Sequence, residues 1–268
     1  MIDFPLIFWF LVLGTFTGFA AGLLGIGGGM VMVPFITMLL SSRGFPIDIV
    51  VKVAIATSLT TILFTSLSSV RAHHKRGAVR WPLVRTLAPG MVVGSIIGAQ
   101  IAHVLDGRLL AMTFAIFVGF MATQMLVKRG VHADRTLPGN GGMLAAGGVI
   151  GAISAIVGAG GGFVTVPFLT RANISIHEAV ASSAACGFPI ALAGTIGYII
   201  AGWSLELPAG TIGYVYLPAL VCIVATSMLT APWGARAAHA MSTAGLKRVF
   251  ALLLYALCAY MLWKGFSG

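Results

Sequence analysis

The chain is 268 residues long, 59% hydrophobic and 8% charged, too poor in polar residues to cover a water-soluble globule of this size, so it belongs in a lipid bilayer. Its 16 Lys and Arg outnumber 6 Asp and Glu, yet the basic residues gather in short loops between apolar stretches. That is the pattern of a membrane orientation signal rather than of a nucleic-acid surface.

Taken in chain order, Met1 to Pro5 lacks the basic region of a cleaved signal peptide, so the first apolar stretch is expected to stay in the fold. Charged punctuation then predicts membrane segments at 6–24, 27–41, 49–70, 84–104 and 109–127. A second set follows at 139–157, 161–173, 179–201, 209–235 and 246–264. The expected class is an all-α polytopic membrane protein, with a first repeat over 1–130, a cytoplasmic linker over 131–142 and a second repeat over 143–268. Segments 27–41 and 161–173 are short for a spanning helix, which needs about 20 residues. Each half therefore holds either one broken helix or a hairpin that crosses or dips in and turns back.

The repeat is written in glycine. Gly14-x3-Gly18-x6-Gly25-Ile-Gly27-Gly28-Gly29-x4-Pro34-Phe35 returns 133 positions later as Gly147-x3-Gly151-x6-Gly158-Ala-Gly160-Gly161-Gly162-x4-Pro167-Phe168. Further on, Pro82 matches Pro218 and Gln100 matches Arg236, while Ala56-Thr57-Ser58 is set against Ala181-Ser182-Ser183. Five segments per half would invert one half against the other. That arrangement puts 12 of the 16 basic residues on one face, among them Arg71, Lys75, Arg76, Arg80, Arg85, Arg171, Arg236, Lys247 and Arg248. Arg43, Lys52, Arg108 and Lys264 remain on the other. Four segments per half, in parallel, would split them 9 to 7. Basic residues concentrate inside, so the inverted count of five plus five is favoured, with both termini outside.

Clustered glycines cannot continue a helix cheaply, each costing about 1 kcal/mol against alanine. Unwound backbone is tolerated within a membrane only where protein buries it or a wet cavity takes it up. The short helices expected from Met30 and Phe163 would present unpaired N–H groups and partial positive charge at the breaks, a site for an oxyanion that needs no buried cation. Gly25, Gly27, Gly28, Gly29, Gly158, Gly160, Gly161 and Gly162 are the candidate floor of that site, with Pro34 and Pro167 as structural residues near the first helical turn. Thr57, Ser58, Ser182 and Ser183 lie deep in their segments, where each either donates to the anion or bonds its own helix. Arg236, Lys52 and Gln100 are candidates for gating or anion attraction.

Other chemistry is disfavoured. All six carboxylates fall at or outside segment ends, unlike the embedded acids of cation carriers and proton pumps, which favours an anionic or neutral cargo. Neither glycine cluster is followed by the Lys-Ser/Thr of a phosphate loop. Cys186, Cys222 and Cys258 lack metal-ligand spacing, and no nucleophile with its base is visible at membrane depth, so no metal, cofactor or enzymatic activity is expected. Gly14-x3-Gly18-x3-Gly22 and Gly94-x3-Gly98 read as close-packing faces of membrane helices.

The paired glycine elements, with Ala56-Thr57-Ser58 after the first, resemble the TauE/SafE family of membrane permeases over about residues 8 to 264. The resemblance implies a multi-pass inner-membrane carrier of sulfite or small organosulfonate anions, often an exporter, with the bilayer and its substrate as partners and a coupling proton or ion left open. An anion channel, or a carrier of another small organic anion, is the alternative.

Overall fold

A computed structural model describes residues 4–24, 28–126, 137–237 and 243–267. Among them the chain forms ten helices, five in each half: α1 (Phe4–Leu24), α2 (Gly29–Ser41), α3 (Ile47–His74), α4 (Trp81–Val104) and α5 (Gly107–Leu126), then α6 (Asn140–Val157), α7 (Gly162–Arg171), α8 (Ile176–Gly202), α9 (Leu217–Ala237) and α10 (Thr243–Ser267). Eight are long and apolar enough to cross a membrane; α2 and α7 are the short ones. The protein is a multi-pass membrane protein.

Local chemistry sets the helix starts. Ser175 caps α8, its hydroxyl accepting from the Glu178 N–H and donating to the Glu178 carboxylate at 2.8 Å, a reciprocal cap of the Ser-x-x-Glu type. Asp106 opens α5 by accepting from the Leu109 N–H at 2.7 Å. Pro82 and Pro218, matched in the repeat, are each the second residue of their helix, where a missing N–H is harmless.

Two helices form the centre. α3 is buried without interruption from Val50 to Ile62, which an apolar helix requires when neighbours enclose it on every side. It crosses α8 antiparallel: Thr60 meets Thr195 at 3.2 Å, Leu59 faces Gly194, and further along α3 Ile62 and Ser66 face the earlier Gly187. The outer helices bury one face and turn residues such as Val93, Ile97, Ile116 and Phe120 outward.

Around that centre the halves exchange their first helices. α1 lies parallel to α9, with Gly14 against Ile223 and Thr226, Gly18 against Ser227 and Thr230, and Gly234 against Phe19. α4 lies parallel to α6 in the same manner, with Gly90 against Leu144, Gly94 against Gly148 and Gly98 against Ala152. At Gly14, Gly18, Gly234, Gly90, Gly94 and Gly98 a Cβ would strike the facing backbone, so the helices approach as closely as their main chains permit. α3 is likewise parallel to α9, and α4 to α8.

These directions decide between the two readings of the short segments. α2 starts beside the middle of α3 and is joined by residues 42–46 to the start of α3, so it runs antiparallel to α3, whereas α1 runs parallel to it. The chain therefore reverses at the first glycine cluster, and α7 against α8 repeats the manoeuvre. At 1.5 Å per residue α2 and α7 are about 20 and 15 Å long, half to two-thirds of a hydrocarbon core.

One predicted segment is corrected. Residues 209–216, read as the start of 209–235, form a hairpin in which β1 (Thr211–Ile212) pairs antiparallel with β2 (Val215–Tyr216). Gly213 makes it possible, with φ 50° and its Cα packed against the Ile199 backbone.

Candidate functional site

The glycines that precede the two short helices share one backbone form. Gly28 caps α2 at φ 70°, ψ −7°, and Gly161 caps α7 at φ 75°, ψ −14°. A left-handed residue here turns the chain without the strain any side chain would add. Gly158 ends α6 in the same region, at φ 70°. Both helices begin one residue earlier than expected, at Gly29 and Gly162, so Pro34 and Pro167 are each the sixth helical residue rather than first-turn residues. The carbonyls of Met30 and Phe163 thereby lose the helical N–H they would otherwise bond.

The reversals touch. A Cβ on Gly29 would strike the Gly158 carbonyl and Ala159, so the start of α2 lies against the end of α6. Ser58 donates to that same Gly158 carbonyl at 2.9 Å. Gly160 passes beside Gly187 of α8, and Gly162 is the first residue of α7. Gly25 and Gly27 lie outside the described residues.

The candidate hydroxyls hold the two halves together in matched fashion. The Tyr216 N–H donates to Thr57 Oγ1 at 3.0 Å, and the Arg80 N–H donates to Ser182 Oγ at 3.0 Å. Arg80 and Tyr216 stand at equivalent places, each two residues before the matched proline, so these bonds pair Thr57 with Ser182. Ser183 bonds within its own helix, to the Val180 carbonyl at 2.8 Å.

The three residues considered for gating are dispersed. Lys52 is buried and donates to the His103 carbonyl at 2.7 Å near the end of α4, with Asp48 and Asp106 supplying opposite charge. Gln100 bridges α4 to the Gly197 carbonyl of α8 at 3.3 Å, while its counterpart Arg236 is exposed in the last turn of α9. In the hairpin, Tyr214 has its hydroxyl 3.0 Å from His103 Nδ1, and burial pushes its ionisation up, so it meets the imidazole as a neutral phenol.

Next to the second reversal is a small cavity of about 10 Å³, room for about one water molecule, lined by Ala21, Ile62, Thr65, Ser66, Ser69, Gly160, Ala184 and Gly187. It joins α1, α3, α8 and the glycine turn, and none of its lining residues is charged. Thr65, Ser66 and Ser69 were not singled out by sequence reasoning. The available signal was the run of eight Ser and Thr between 57 and 69, which puts hydroxyls on successive turns of α3. Hydroxyls and backbone dipoles of this kind can hold a desolvated anion.

The model of the sulfite exporter TauE/SafE family matches residues 10–261. A probable membrane transporter protein of Haemophilus influenzae is 37% identical over 97% of this chain and 100% of its own length. Another, of Methanocaldococcus jannaschii, is 25% identical over 94% of each chain, and a probable membrane transporter protein of Bacillus subtilis is 28% identical over 71% of this chain and 77% of its own. No solved structure matches the chain. With a matched glycine reversal in each half and the family model spanning both, the chain belongs to the TauE/SafE family of membrane transporters.

Proposed function

We propose that this protein exports a small sulfur-containing anion, sulfite or an organosulfonate, across the cytoplasmic membrane by alternating access of two inverted halves. The observation that carries the reading is the contact between Gly29 and Gly158, which brings two matched reversals together beside a cavity free of ionised side chains. Half-helices that begin at the midplane direct their N-terminal dipoles at an anionic cargo in carriers built from repeats. Inversion is supported by the antiparallel crossing of α3 and α8, since helices matched by a parallel repeat would run the same way. The division of basic residues, 12 to 4, supports it independently. Sulfur chemistry and outward direction rest on the family's description as a sulfite exporter.

Counterflow in proteoliposomes tests this. Internal sulfite or methanesulfonate should drive saturable uptake of the labelled anion, whereas a channel would conduct without exchange. Gly28→Leu and Gly161→Leu should abolish flux with membrane insertion intact, because each forces a bulky residue into the left-handed region. Normal flux in both variants would refute the role given to the reversals.

A further inference from the structure

We propose that the corner joining α3 to α4 binds the phosphate headgroup of an anionic phospholipid, held by Arg71 and Arg85. The corner lies at the end of the helix bundle and takes part in neither glycine reversal, so the site stands whatever the cargo.

Two rings brace the corner. Trp81, the first residue of α4, donates its indole N–H to His74 Nδ1 at 3.2 Å, and the rings meet edge to face with centroids 5.6 Å apart. The last residue of α3 is thereby fixed beside the first of α4. From each ring an exposed row runs inward along its helix: Arg71, Leu67 and Phe64 on α3, and Arg85, Pro89 and Val93 on α4. Spacings of three and four residues keep each row on one face. The rows read alike, with a ring first, then one arginine, then apolar side chains turned to the lipid chains.

A Trp on a spanning helix sits at the boundary between headgroups and hydrocarbon. At 1.5 Å per residue each arginine is only about 5 to 6 Å further in than its ring. Its stem can follow the apolar row while the guanidinium reaches back to the phosphates. Residues 71–85 carry Arg71, Lys75, Arg76, Arg80 and Arg85 with no Asp or Glu. Arg80 is taken, since Glu178 of α8 meets it at 2.8 Å. Arg71, Lys75, Arg76 and Arg85 are exposed and form no ion pair among the described residues. Guanidinium matches phosphate through parallel N–H donors. A zwitterionic headgroup sets its own ammonium against that charge, so an anionic one is the occupant that fits.

The test is fluorescence of Trp81 in proteoliposomes of phosphatidylcholine doped with brominated lipid. Trp9, Trp203, Trp233 and Trp263 are replaced by phenylalanine in the full chain, so that Trp81 alone reports. Brominated phosphatidylglycerol should quench it at about a 25-fold lower fraction than brominated phosphatidylcholine, about fivefold for each arginine. Arg71→Gln and Arg85→Gln should each cut that preference about fivefold. Arg108→Gln, exposed at the opposite end of the bundle, should leave it unchanged. Thermal unfolding of the chain with all its tryptophans gives a second reading in micelles. Phosphatidylglycerol should raise the transition above that in phosphatidylcholine, and Arg71→Gln combined with Arg85→Gln should remove the rise. Equal quenching by the two lipids, a transition that phosphatidylglycerol does not move, or a preference that both arginine variants keep would each overturn the proposal. Displacement of the brominated lipid by millimolar inorganic phosphate would also overturn it, and would assign the corner to a free anion.

Discussion

Ser58 Oγ lies 2.9 Å from the carbonyl oxygen of Gly158, so the middle of α3 is tied to the chain reversal of the opposite half. Both groups are buried. Ser58→Ala leaves that carbonyl without its donor and should cost about 1–3 kcal/mol, read as a lower unfolding temperature in detergent. Ser42→Ala, which removes an exposed hydroxyl bonded to Leu39, is the control and should leave the transition where it was.

Gly94 and Gly148 face each other across the α4–α6 seam but are not interchangeable. A methyl on Gly94 would overlap the Gly148 backbone, whereas one on Gly148 would come no nearer than 3.8 Å to the Gly90 carbonyl. Gly94→Ala should destabilise by about 1–3 kcal/mol through forced separation of the helices. Gly148→Ala should be neutral or stabilising by up to about 1 kcal/mol, since alanine is the better helix former. Resistance to denaturant in mixed micelles would rank the two variants, and the reverse order would contradict the seam.

At Arg80 the backbone and the side chain do different work. Its N–H donates to Ser182, and its guanidinium meets exposed Glu178 at 2.8 Å. Ser182→Ala should lower stability by about 1 kcal/mol, while Arg80→Ala keeps the backbone bond and should have the smaller effect, because exposed ion pairs contribute little. Thermal unfolding of both single variants provides the comparison.

The proposed inversion of the halves has a chemical signature. In a background with Cys186, Cys222 and Cys258 replaced by alanine, Ser42→Cys and Arg171→Cys mark equivalent ends of α2 and α7, both exposed. A membrane-impermeant thiol reagent should label them from opposite sides. Labelling from the same side would exclude the inverted arrangement.

Much of this architecture was legible in the chain. Uncharged stretches delimited ten segments, and the glycine signature marked where the helices break, because Gly28 and Gly161 stand where the backbone takes a left-handed turn, but it left a broken helix and a hairpin both open. The hairpin was not legible: Thr211 to Tyr216 are apolar enough to join the next helix, and only the pairing of β1 with β2 separates them. Thr57 and Ser182 could be matched by sequence, but their partners could not, since Tyr216 and Arg80 offer backbone N–H groups that leave no mark in composition. The hydroxyl face at Thr65, Ser66 and Ser69 was obscured for a different reason. Ser and Thr are ordinary in membrane helices, and which of them faces a cavity depends on the neighbouring elements.

The exchange of first helices bears on how the polypeptide is made. α1 fits its glycines to α9, so the opening helix emerges from the ribosome without the neighbour its surface matches, and that neighbour comes only with residues 217–237. A product truncated after α5 would leave Gly14 and Gly18 to lipid chains, which cannot fill the shallow groove they form. The seam between α1 and α9 can therefore close only after residues 217–237 have been made.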